Sequence, residues 1–129
     1  MIDRFNAPDL CQPPGYAHVA IASDRRLVTT AGAVPLDADG ALVGRGDYVA
    51  QTRQTLANLL RALDAAGATG ADVLKTTVYV VSTDRADLGA VWDVVQGSPV
   101  AAAASTLLGV SLLGYDGQLV EIEAIAALP

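Results

Sequence analysis

The sequence predicts an α+β fold in which two helices pack on one face of a mixed sheet. Three observations predict it. Apolar residues recur at helical spacing in two separate windows, β-branched or alternating runs lie before, between and after them, and no repeat, linker or low-complexity tract breaks the order. A chain of 129 residues rarely holds two independent cores, so residues 1–129 are read as a single domain.

The elements follow in order. His18 to Ser23 alternates, with Val19 and Ile21 separated by smaller residues, and after Asp24-Arg25-Arg26 a second apolar run starts at Leu27; together these read as a hairpin. Pro35 to Gly40 is a turn, because proline fixes φ and Asp and Gly tolerate positive φ. Leu42 and Val43 suit a short third strand. Val49, Thr52, Leu56, Leu59, Leu60 and Leu63 share one helical face, with Asp47 as N-cap and Gly67 as the left-handed stop. Leu74 to Val81 is β-branched and aromatic, which suits a strand. A second helix runs from about Asp84 to Gln96 with Leu88, Val91, Trp92 and Val95 as its apolar stripe and Gly97 as terminator. Ser105 to Leu112 and Leu119 to Ala127 are the last strands, joined by the turn Gly114-Tyr115-Asp116-Gly117.

Composition narrows the function. The formal net charge of -6 argues against a phosphate-backbone partner, since basic side chains drive nucleic-acid binding, and RNA binding or cleavage is a poor default. Aromatics are only 5% of the chain, so the core is built from small aliphatic groups and gains from burial against other subunits. Cys11 is the only cysteine, which excludes an intrachain disulfide and fits a reducing cytoplasm. The opening residues carry Asp3 and Arg4 and no apolar signal core. The uncharged stretch between Asp93 and Asp116 is broken by Gly97, Ser98 and Pro99, and reads as a loop and a buried strand, with no membrane expected.

Few residues carry chemistry. Glu121 and Glu123 project from one face of a strand, about 7 Å apart by its two-residue repeat. That spacing suits acid/base work, yet taken alone the pair reads as a solvated sheet edge. Ser105 and Thr106 lack an activating base, His18 being the only histidine and remote in sequence; they fit hydrogen bonding to a ligand oxygen or to local backbone. Cys11 and His18 cannot build a zinc site and read as a buried thiol and a surface imidazole. Trp92 reads as core or subunit packing. Gly32 marks either a bend or a close approach of backbone to a ligand. No phosphate-binding or dinucleotide glycine motif is present, and no cofactor or metal is expected.

Five segments in order, PGYAHVAI (Pro14 to Ile21), LVTTAGAVPLDADG from Leu27, YVAQTRQTLANLLRALDAAGA from Tyr48, ADVLKTTVYV from Ala71 and LVEIEAIA from Leu119, resemble the RidA/YjgF family over nearly the whole chain. The resemblance implies a chorismate-mutase-like subunit, a homotrimer with ligand clefts between subunits, and a small-molecule substrate. It also implies site roles. Glu121 matches the glutamate that holds the attacking water in the family's imine and enamine deaminases, and Tyr16 matches a tyrosine near the site. The family's carboxylate-binding arginine falls on Ala104, Ser105 or Thr106, and no Lys or Arg occurs from Ala86 to Pro129. A family serine is Ala31 here, and the asparagine of the second helix is Gly89. Glu121 is therefore the catalytic candidate, and Tyr16, Ser105, Thr106 and the backbone N–H groups of Ala31, Gly32 and Ala33 the substrate-binding ones. The implied reaction is hydrolysis, tautomerisation or condensation of a small reactive intermediate, with the family's usual deamination and a non-catalytic metabolite-binding trimer as the alternatives.

Overall fold

The computed structural model describes residues 2–129. They form β1 (Ile2–Phe5), β2 (Val19–Ala22), β3 (Arg26–Thr29), α1 (Tyr48–Ala65), β4 (Val73–Val81), α2 (Arg85–Gln96), β5 (Ala104–Val110) and β6 (Val120–Leu128), with a 3-10 turn at Gly70–Asp72. The Asp47 carboxylate caps α1 by accepting the Ala50 N–H at 3.0 Å, and Gly67 ends it with φ +79. Asp84 caps α2 in the same way through Ala86.

β3, β6, β4 and β5 form one sheet in that order, with β4 and β5 parallel and the other pairs antiparallel. A parallel pair needs a crossover, and α2 supplies it. Period-two alternation then divides the side chains of the central strands. Val78, Val80, Val120 and Ile122 are fully buried with Leu59 and Leu63 of α1 and Val91 and Val95 of α2, so both helices cover one face. Lys75, Thr77, Tyr79, Glu121 and Glu123 are left on the other.

One buried polar residue ties these layers together. Gln51 of α1 donates to the carbonyls of Gly44 and Gly117 and accepts the Leu119 N–H at 2.7 Å, so its amide is satisfied while it fixes the loop that leads into β6.

Two expectations need correction, and one strand went unanticipated. β2 and β3 do not form a hairpin: β2 pairs with β1, and β3 pairs with β6. Alternation identifies strands but does not choose their partners, and here Asp24, at φ 53, turns the chain out of one sheet and into the other. β1 was hidden by its shortness and by the central Asp3-Arg4; the Arg4 guanidinium anchors it by donating to the carbonyls of Ala71 and Val73. Leu42 and Val43 make no strand, only a single bridge from Leu42 to Leu36, because the segment closes a turn in which Asp37 Oδ1 accepts the Asp39 and Ala41 N–H groups.

Candidate functional site

Strand register places the outward side chains in rows. Thr106, Thr77 and Glu123 face one another across β5, β4 and β6, and Tyr79 sits opposite Glu121 one row along. Glu121 is half-buried, and its Oε1 accepts from Gln118 Nε2 at 3.1 Å. Its other oxygen lies against the bare Cα of Gly32, so close that a side chain at that position would occupy the same space. Gly32 is thus required by the close approach of the Glu121 carboxylate.

The residues proposed to hold a carbonyl oxygen divide. The N–H of Ala33 is committed to the Ile122 carbonyl at 2.7 Å, and its own carbonyl accepts the Ile122 N–H, so Ala33 closes the sheet and has no donor to offer. Ala31 and Gly32 donate to no backbone carbonyl among the described residues. Ser105 turns toward the helix side, where its Oγ accepts the Thr76 hydroxyl at 2.8 Å.

Tyr16, Ser105 and Thr106 do line one cleft, of about 330 Å3, together with Pro14, Trp92 and Leu107. Trp92 is half-buried and packs against the core cluster, while its Nε1–H donates to the Pro14 carbonyl at 3.1 Å and its ring meets Tyr16 edge-to-face at 6.1 Å. Cys11 is exposed and His18 half-buried, its Nδ1 accepting the Ala7 N–H, the reverse of the expected burial. Neither of them lines this cleft. Glu121 is also elsewhere. It lies two strands and one row from Thr106, roughly 12 Å by strand spacing and rise.

The sequence reading missed Lys75. It is distant in sequence from the arginine position, and only parallel pairing brings β4 alongside β5 and sets Lys75 opposite Ala104. Its ammonium donates to Thr106 Oγ1 at 2.6 Å. The available signal was the one lysine within an otherwise uncharged strand. Two arginines are engaged elsewhere: Arg25 pairs with Asp72 at 3.7 Å and donates to the Ala127 carbonyl, and Arg45 meets Asp116. Arg53 lies in the groove between α1 and α2.

Tyr79 donates its phenol to Glu123, and that bond first, then burial, then the charges of Glu123 and Glu121, holds the phenol above its ordinary pKa. A folded-state value above the unfolded one stabilises fully below pH about 10 and is lost as pH rises through the raised value. In an ultraviolet titration Tyr79 is expected to ionise above the ordinary tyrosine value. Tyr79→Phe should remove absorbance change from the high-pH part of the curve; a variant that loses a step at the ordinary tyrosine value instead would contradict the contact. Among the described residues no three metal-ligating side chains gather, and no helix is long and apolar enough to cross a membrane.

The fold and the outward acidic face define a YjgF-type α+β subunit, similar to the E. coli YjgF gene product at 30% identity, TM-score 0.66, over 95% of this chain and 93% of that one. A family model described as Endoribonuclease L-PSP matches residues 9–128. The chain belongs to this family, the RidA/YjgF or Rid family. A RutC family protein of Pyrococcus horikoshii is 39% identical over 122 residues, 94% of this chain and 91% of its own. A Rid-family crystal structure from Yersinia pestis, described as of unknown function, superposes with TM-score 0.90 at 38% identity over 98% of both chains.

Proposed function

We propose that this protein acts on a small reactive metabolite or biosynthetic intermediate, by hydrolysis, tautomerisation or condensation, in a cleft between subunits of a homotrimer. Glu121 holds or deprotonates water or substrate. The observation that carries this reading is the setting of Glu121: one oxygen is fixed by Gln118, and the other is held against a glycine, where the backbone leaves room. A carboxylate oriented in this way is suited to general-base work. Separation from the Tyr16 cleft within one chain supports completion of the site by a second subunit.

The reading excludes efficient deamination of 2-imino acids, because the arginine position carries no guanidinium to bind a carboxylate in two parallel hydrogen bonds. A second reading, the family's usual enamine/imine deamination, is favoured by one observation, the Lys75 ammonium at Thr106. Lysine offers charge there, but as a point donor without the planar fork. The net charge of -6 weighs against RNA as substrate, whatever the family's description.

The test is a panel of small imines, enamines and activated carbonyl compounds, assayed with the wild type and Glu121→Gln. Turnover that falls at least about 100-fold in the variant, with little ammonia from imines generated by an amino-acid oxidase, supports the proposal. Full activity in Glu121→Gln removes the mechanism, and rapid ammonia release moves the assignment to the deaminase.

A further inference from the structure

The wall that this chain contributes at Tyr16 is aromatic and uncharged. Pro14, Tyr16, Trp92, Ser105, Thr106 and Leu107 line the cleft of about 330 Å3, and none of these side chains is charged at neutral pH. Consecutive strand residues point to opposite faces, so a cleft that takes in Ser105, Thr106 and Leu107 together wraps the edge of the sheet, where β5 is the last strand. The rings of Tyr16 and Trp92 stand at 78° to each other and form a corner. A third flat ring can stack on one of them while it meets the edge of the other. The indole is held in place by its bond to the Pro14 carbonyl.

Thr106 adds one directed polar contact. Its Oγ1 accepts from the Lys75 ammonium at 2.6 Å, and a hydroxyl that accepts keeps its own O–H to donate. Bonding to a cation polarises that O–H and strengthens it as a donor. We infer that this wall receives a flat, uncharged aryl carbonyl compound, its ring in the Tyr16–Trp92 corner and its carbonyl oxygen on the Thr106 hydroxyl. The inference rests on the reading of the cleft as part of an intersubunit reaction site, and it names the substrate class of that site. A carboxylate in the same place would lose water and meet only hydroxyls in the lining, since Lys75 stands behind Thr106 and does not line the cleft. Leaving a charge buried and unpaired is costly. An aliphatic ligand would fill the volume without using the face of either ring. The volume lies at the lower end of the usual range for ligand pockets, about 300–1,000 Å3, and suits a compound with a single ring.

The chain has one tryptophan, so the single indole N–H signal of the isotope-labelled protein reports on this cleft. Titration of the full chain with acetophenone, benzoate and ethylbenzene tests the inference. Acetophenone should shift the indole signal saturably, and benzoate should bind at least about tenfold more weakly, a difference of ~1.4 kcal/mol. Thr106→Val, which keeps the shape and removes the hydroxyl, should weaken acetophenone about fivefold and leave ethylbenzene unchanged, whereas Thr106→Ser retains most of the affinity. If Thr106→Val fails to fold, the comparison of the three ligands on the wild type still decides. Glu121→Gln should leave the indole shifts unchanged, so failure of the acid/base mechanism is read in turnover and failure of this substrate class in binding. No saturable shift with acetophenone, or benzoate binding as tightly as acetophenone, overturns the inference.

Discussion

Gly32→Ala is expected to lower turnover roughly 100-fold while leaving the fold intact, because displacing a reacting group by about 1 Å costs on that order. The added methyl would meet the Oε2, Cδ and Cγ atoms of Glu121, all parts of a flexible side chain, so the carboxylate moves and the backbone does not. Moving it breaks the 3.1 Å bond from Gln118 and redirects the oxygen that the glycine had accommodated. Gly32 does not have positive φ, so no backbone strain accompanies the change. Melting should shift by less than the equivalent of about 1 kcal/mol. A fully active Gly32→Ala protein would show that the position of this carboxylate does not matter for turnover.

Leu59→Ala should have the largest effect on stability. Leu59 is fully buried in the middle of α1, in the cluster shared with β4, β6 and α2. Truncating such a leucine removes its transfer energy and leaves a cavity, together costing about 2–5 kcal/mol. That is a large share of the 5–15 kcal/mol typical of a whole domain. The core has few aromatic side chains to shift into the gap; its neighbours are mostly valine, alanine and leucine. β-branched residues repack poorly, since χ1 is restricted. Urea denaturation reads the difference directly, and a loss below about 1 kcal/mol would mean that the helix is held mainly by other contacts.

Much of the fold was legible in the sequence, for identifiable reasons. α1 was announced by its apolar spacing and by Asp47 and Gly67, both local signals that the structure uses as read. β4, α2, β5 and β6 were placed to within one or two residues at most ends, since each carries its own period or terminator. Partner choice was not legible. β2 and β3 looked like neighbours because they are consecutive, but their partners are Ile2–Phe5 at one end of the chain and Val120–Leu128 at the other.

The site divides along the same line. Glu121 and Glu123 on one strand face follow from alternation alone, and the need for Gly32 follows once β6 is known to run beside it. Lys75 could not be placed until β4 and β5 were known to be parallel and in register, since 31 residues separate it from Thr106. Ala33 and Ser105 carried suitable groups, but spacing does not say whether an N–H or hydroxyl is already engaged. Here the Ile122 carbonyl and the Thr76 hydroxyl engage them.

β6 lies between β3 and β4, although it is made after both. During synthesis the first five strands and both helices therefore emerge with the middle of the sheet vacant. The edges of β3 and β4 that will flank it stay open to other chains until Val120 to Leu128 leave the ribosome and insert between them.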